Sequence, residues 1–407
     1  MSKLSLAALL LLPLAAIAQS GDSPRKLTVT NPTESARKDA SFVLPAANVS
    51  GGDVTGVHFQ HDGREVPFQT VDTDGNSRDD AYLLMLDLDA GQTAQLTAEP
   101  LSGTAPTFPA RTQAEISHKI NGSWKEREYM EGEFMNVDSL RVPAEHTDHS
   151  WYIRYEGPGW ESDRVGYRFY LDWRNATDVF GKKQPDLVLQ DVGQDGFDSY
   201  HEPSDWGMDV LKVGPSLGLG SLATWTDGAA LRVEKTDSVT SRVAENGPLR
   251  SKVRTRYYGW EAHDRKTDVV SELSIEAGSR MTRHDVQLSA ALPNLATGIV
   301  KLETGEVMTG QTGDYAYLAT WGDQSLAEDA LGLAVIYRIE DIIEVTEDEH
   351  SHVVVLDPGT DKQLTYYFLA AWEQESEAIT SQAAFKDYLD DQLVRLTFPL
   401  EVEVSAR

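Results

Sequence analysis

The sequence of 407 residues contains no cysteine. That excludes disulfide cross-links, a thiol nucleophile, cysteine-ligated metal and a lipid-modified N-terminal cysteine. A chain of this length buries a large core without covalent staples. Long apolar runs are also missing: after residue 18 no stretch approaches the roughly 20 apolar residues of a membrane-spanning helix. Positive charge is scarce, with 36 Lys and Arg against 65 Asp and Glu and a formal net charge of −29. The basic footprint that neutralises nucleic-acid phosphates is therefore absent, and no nucleic acid is expected as a partner. The same field repels any anionic ligand on average, so such a ligand must be met by local clusters of cations. Familiar catalytic strings are lacking as well. There is no G-x-S-x-G elbow. The glycine-rich stretch 214–220 does not end in Lys-Ser/Thr as a phosphate loop would, and reads as a tight turn.

The N-terminus has a charged Lys3, an apolar run over 6–14 and a small-residue signal at Ala16-Ile17-Ala18. This pattern predicts a secretory signal peptide over 1–18 and an exported protein, periplasmic or extracellular, that does not use a membrane as partner. From 19 to 105 short alternating strands are separated by turn residues, as in a small β region packed on a larger body. His61-Asp62-Gly63 sits at a hairpin turn. Asp72, Asp74 and Asn76 match half of a calcium loop. Ser77 and Leu83 stand where that loop needs Gly and Glu, so a polar turn is expected.

A Pro/Gly/Thr-rich linker at 101–112 precedes the main body, 106–407. Strand patterns recur there at 271–276, 284–288, 315–320, 331–337, 352–356 and 364–372, and again at 397–404. Helical periodicity is convincing at 381–393, with Ser381 as N-cap. Strands dominate and no βαβ rhythm is present. The expected fold class is all-β: a large β-sandwich with few helices.

Residues 151–212 concentrate aromatics, arginines and carboxylates. Strand alternation would put Arg168 and Tyr170 on one face, and Arg154 on the matching face of a neighbouring strand. Arg256, Tyr258 and Trp260 would share a face of a third strand with Arg254. Rings and arginines on one face suit a binding surface, although a second packed layer explains the rings equally. The long loop 193–207 carries Tyr200, His201 and Trp206. His and Tyr can move protons, and an indole can stack on a sugar face. His146 and His149, or His350 and His352, have spacings found in metal sites, but no third ligand stands beside either pair in the sequence. Glu161, Asp163 and Glu373 are generic candidates for a glycosidase carboxylate pair.

The strings YEGPGWESDRVGYRFYLDWRNATDVFGKK, DSYHEPSDWGMDVLKVGPSLGLGS, YYFLAAWEQE and HDGREVPFQTVDTDGNSRDD resemble a bacterial secreted family long catalogued as a domain of unknown function. One member looks like an oligosaccharide dehydratase of ulvan breakdown. The resemblance implies a carbon–oxygen lyase that removes water from the non-reducing-end uronic acid of an anionic oligosaccharide, on a supersandwich similar to that of galactose mutarotases. A polysaccharide lyase and a non-catalytic sugar-binding sandwich are the alternatives. Residue roles come from the chemistry of elimination rather than from the family. Arg168 with Arg154 or Arg256 would clamp the sugar carboxylate, Tyr200 and His201 would form the base and acid pair, and Tyr170, Trp206, Tyr258 and Trp260 would hold the sugar. Arginine can neutralise the developing charge without help, so no cofactor is expected; a divalent metal stays open.

Overall fold

The computed structural model describes residues 24–196 and 199–405; the expected signal peptide lies outside the described residues. Alternating apolar residues over 25–100 build a small sandwich. One sheet runs in the order Glu401–Val404, Arg25–Thr30, Thr93–Pro100, Val57–His61, Arg64–Glu65, and the other in the order Arg37–Pro45, Ala81–Leu88, Phe68–Val71. Leu27, Val29, Phe59, Tyr82, Leu84 and Leu96 fill the space between them. Asp62 and Gly63, both at positive φ, close the expected hairpin. The Asp72 carboxylate accepts from the amides of Gly75 (2.8 Å) and Ser77 (2.7 Å), which makes the 72–77 stretch a self-capped polar turn.

The main body is a larger sandwich. Nine antiparallel strands follow the order Ser139–Arg141, Ser238–Asn246, Arg250–Ala262, Arg265–Glu276, Met281–Leu288, Gln363–Trp372, Ala330–Arg338, Tyr315–Asp323, Glu306–Thr312. Two five-stranded sheets share one core with this sheet. The first runs Gly207–Asp209, Thr177–Lys182, Val165–Phe169, Gly159–Ser162, Thr112–Glu115; the second runs Ala229–Arg232, Ala223–Thr226, Leu295–Val300, Ser351–Leu356, Ile342–Glu347. Bridges at Thr177–Gly218 and Leu219–Ile299 join them. In the core Trp160 stacks on Tyr167 at 5.7 Å. Its indole N–H donates to Thr282 (2.9 Å), and the Tyr167 hydroxyl donates to the Arg280 carbonyl (2.6 Å), so both polar tips are satisfied. The expected all-β sandwich is the observed fold.

The helix Gln382–Thr397 starts at Ser381, whose side chain accepts from the Ala384 amide. It lays Phe385, Leu389 and Leu393 on the outer side of the nine-stranded sheet. It also runs further than its pattern suggests. The closing strand is therefore Glu401–Val404 rather than all of 397–404.

One expected face fails within the strand Arg250–Ala262. Arg254, Arg256 and Tyr258 do point away from the core, but the pairing register shifts between Tyr257 and Trp260. Gly259 takes φ 65° at that bulge. The slip turns Trp260 inward, where it is fully buried in the shared core. It cannot meet a ligand alongside Arg256 and Tyr258.

His284 lies in this core with Nε2 2.7 Å from the Ser271 hydroxyl. Burial lowers its pKa from 6.5 to about 4. Between those values the unfolded chain binds a proton that the folded chain refuses, so this residue removes stability as pH falls through the window. From about pH 7 to about pH 4.5, wild type is expected to lose about 2–3 kcal/mol more than a His284→Gln variant in urea unfolding. Equal losses would show that the imidazole is not held neutral.

Candidate functional site

The strand register of the first five-stranded sheet decides what lies on its outer side. Arg168 is paired with Gly159 and Asp178, Phe180 with Gly166 and Asp209, and Gly159 with Glu115. Side chains alternate along each strand, so Glu115, Glu161, Arg168, Asp178, Lys182 and Asp209 all project away from the core. Such a face normally meets water. Here all six are buried, because residues 183–196 and 199–206 and the short turn Arg154–Glu156 fold over them. Tyr155, Val188, Leu189, Val192 and Tyr200 hold that cover to Phe180, with Trp206 at its edge. Gly207 lets the cover return to the sheet: it takes φ 136°, and a Cβ there would strike the Gly181 carbonyl.

Buried charges persist only when paired, and three knots do the pairing. Arg154 binds Glu115 and donates to the carbonyls of Leu189, Gln190 and Val192, each at 2.9 Å. The Tyr155 hydroxyl donates to the same Glu115 carboxylate. Lys182 meets Glu161 at 2.5 Å, and Glu161 also accepts from the amides of Val188 and Leu189 at 2.8 Å. The third knot is centred on Arg168. Its guanidinium donates to Asp178 (2.7 Å), Asp209 (2.5 Å), the Tyr170 hydroxyl (3.1 Å) and the Tyr200 hydroxyl (2.8 Å). Tyr170 in turn donates to Asp178.

Protonation in this knot follows from burial. Burial, and then the charge of Asp178, push the pKa of the Asp209 carboxyl up, against the pull of Arg168. Burial likewise pushes the phenols of Tyr170 and Tyr200 up and keeps them neutral. Glu156 goes the other way: burial opposes its charge, but Arg168 and Arg174 outweigh it and lower its pKa.

The knot opens to solvent through His201. Its Nε2 is 3.4 Å from the Asp209 carboxyl, and 38 % of its side chain is exposed. The Tyr200 ring lies 4.7 Å from the imidazole. Beside them Arg174 covers the Tyr170 ring at 4.1 Å and pairs with Asp172 (2.5 Å), Glu156 (2.7 Å) and Asp148 (2.9 Å). Trp151 packs against Gly196 in the covering segment. His149, Trp151, Tyr155, Glu156 and Asn175 around this opening all have positive φ, between 36° and 72°. Non-glycine residues pay about 1–3 kcal/mol each for such conformations, which cluster at functional sites.

Asp148, His149 and Glu156 each offer one ligand atom, all within 4.8 Å of one another. They are the side chains that could hold a divalent metal here, among the described residues. Arg174 already neutralises two of them, so a metal would have to displace it. His146, the other half of the expected H-x-x-H pair, stands outside the set; burial lowers its pKa and its Nδ1 meets the Ser150 hydroxyl at 2.8 Å.

The structure thus brings Arg168, Tyr170, Tyr200, His201 and Trp206 together. Arg154 is adjacent, but it sits on a turn instead of a strand, and both of its terminal nitrogens go to Glu115 and three carbonyls. Arg168 is similarly committed to two carboxyls, which leaves it poorly placed to clamp a substrate carboxylate. Arg256 and Tyr258 are exposed on the far side of the nine-stranded sheet, and Trp260 is in the core. Asp178 and Asp209 were missed by sequence reasoning. The signal for them was faint: each is the one acid of a short strand, TDVFGK and GMD, which does not set it apart from the other acids of the chain.

Residues 29–402 match the model of a family described as a domain of unknown function, DUF4861. The chain belongs to this family. No curated protein matches it. Two solved structures from Enterococcus faecalis are similar at 10 % identity: a protein in glycosyl hydrolase family 38 (TM-score 0.44) and an alpha-mannosidase (TM-score 0.45). Each match covers 94 % of this chain, and 48 % and 46 % of the respective partners, so this chain spans about half their length.

Proposed function

We propose that this protein is a carbohydrate-active lyase, a dehydratase that eliminates water from the non-reducing-end uronic acid of an acidic oligosaccharide such as one from ulvan. The observation that carries this reading is the half-exposed imidazole of His201, backed at 3.4 Å by the buried Asp209 carboxyl. In the reaction the proton at C5 of the sugar leaves to a base, the C4–O bond breaks, a C4=C5 double bond forms, and the departing hydroxyl takes up a proton to become water. His201 is the titratable group of the knot that reaches solvent, so it takes the C5 proton. The imidazolium so formed returns that proton to the C4 hydroxyl as it departs as water, while Asp209 behind it holds Nε2 in place. Tyr200 is buried and neutral, and it positions the imidazole through ring contact. Arg174 at the opening, with 15 % of its side chain exposed against 3 % for Arg168 and 0 % for Arg154, is the guanidinium nearest solvent and would meet a sugar carboxylate by exchanging one of its acid partners for it. A metal on Asp148, His149 and Glu156 would supply the same neutralisation. Trp206 and Trp151 rim the opening, where a sugar face can stack.

Incubation with uronate-ended oligosaccharides, followed by mass spectrometry with and without chelator, tests this reading. Loss of one water at constant chain length is the expected result. Chain shortening would replace it with a polysaccharide lyase, and unchanged mass with retained binding would leave a sugar-binding sandwich. Activity abolished by chelator would place a metal in the mechanism.

A further inference from the structure

On the other side of the molecule, the small sandwich, the outer face of the nine-stranded sheet and the helix Gln382–Thr397 enclose a groove of about 760 Å³. Its charge is opposite to that of the protein as a whole. Eight of its lining side chains are Lys or Arg and five are Asp or Glu, in a chain whose formal charge is −29. Chance placement would give the reverse balance.

The groove also holds an unmet donor. Arg37 is only 4 % exposed; one of its terminal nitrogens donates to the Phe398 carbonyl at 2.6 Å, but its buried Nε has no hydrogen-bond partner. Burial and the neighbouring charge of Arg395 both lower its pKa. Arg395 is paired with Asp391 at 2.7 Å, so the donor left over for an anion is the spare N–H of Arg37. Lys38 is exposed beside them. On the sheet wall Arg283 lies over the Tyr367 ring at 5.9 Å, and Arg280 over the Tyr388 ring at 5.3 Å. Cations backed by aromatic rings suit a chain of charged sugars better than a lone inorganic ion.

We propose that this groove is a docking site for an acidic glycan chain, held through its carboxylate or sulfate groups. It extends the reading above, on which the choice of a glycan rests. The groove and the His201 opening lie on opposite sides of the sandwich, so a short oligosaccharide cannot span both. A long chain held in the groove raises the local concentration of chain ends near the enzyme, and specificity for polymer enters here. The weak average repulsion of a strongly acidic protein is overcome locally, where the cations are.

Titration calorimetry with the full chain tests this, using a sulfated uronate polysaccharide, a short uronate oligosaccharide, a neutral polysaccharide and inorganic sulfate as probes. Lys38→Glu combined with Arg395→Gln is expected to weaken polysaccharide binding about tenfold or more and to flatten its salt dependence. Lys252→Glu on the sheet wall, checked for fold by circular dichroism, is expected to act in the same direction. Turnover of the short oligosaccharide should be unaffected in both. Wild-type binding by both variants, equal binding of the neutral polysaccharide, or binding of inorganic sulfate alone would overturn the proposal. Binding lost in the variants of a protein that dehydrates nothing would uphold the groove and remove the reaction.

Discussion

Arg168→Leu is expected to destabilise the protein by about 3–5 kcal/mol, read as a lower urea midpoint. The guanidinium is 2 % exposed and is the shared partner of Asp178, Asp209, Tyr170 and Tyr200. Removing it leaves Asp178 buried as an unpaired carboxylate, and leaves two phenols without their donor. An uncompensated buried charge costs far more than the lost attraction alone, because no water can replace the partner. Lysine at 168 would keep the charge but not the fork that reaches both carboxyls, so Arg168→Lys should recover only part of the loss. Removing the charge as well as the cation, in Arg168→Leu with Asp178→Asn, should recover more. A stability within about 1 kcal/mol of wild type for Arg168→Leu would mean that water enters the knot, and the dry, pre-organised site described above would not exist.

His201→Ala is expected to reduce turnover by about 10²–10⁴-fold, the usual span for loss of a general acid or base. The imidazole lies at the rim of the knot with 38 % of its side chain exposed, so its removal should leave the circular dichroism spectrum and the unfolding midpoint close to wild type. The separation of effects matters here. Arg168 acts through the fold and should lower stability and activity together, whereas His201 acts on the substrate and should lower activity alone. Near-native turnover in His201→Ala would exclude the residue as the proton carrier, whatever the reaction turns out to be.

Much of the fold was legible because strand alternation is a local signal. The runs at 284–288, 331–337 and 364–372 all became strands of the nine-stranded sheet, and Ser381 capped the helix as expected. The failures were also local in origin. A bulge at Gly259 cannot be located from alternation, and one residue of slip was enough to send Trp260 into the core while Arg256 and Tyr258 stayed outside. Arg154 fitted a strand pattern by composition, but Tyr155 and Glu156 at positive φ break the chain direction there. The Tyr200-His201 pair could be singled out because proton-carrying side chains in a long polar loop are few. Their partners could not, since Asp178 and Asp209 look like any other two of the 65 acids.

What the sequence determined by itself was the class of the molecule: a cysteine-free, acidic, strand-dominated chain with His201 and Tyr200 in its longest polar loop. Composition and two-residue periodicity carry that information without reference to distant contacts. Only the tertiary structure decided that Arg168 is committed to Asp178 and Asp209, that Arg174 sits half-buried at the opening, and that a cation-rich groove lies on the opposite side. The physical reason is that charge in a folded protein is defined by its partners. Pairing, burial and protonation arise from strands brought into register, and Arg168 and Asp209 are 41 residues apart in the chain yet 2.5 Å apart in the sheet.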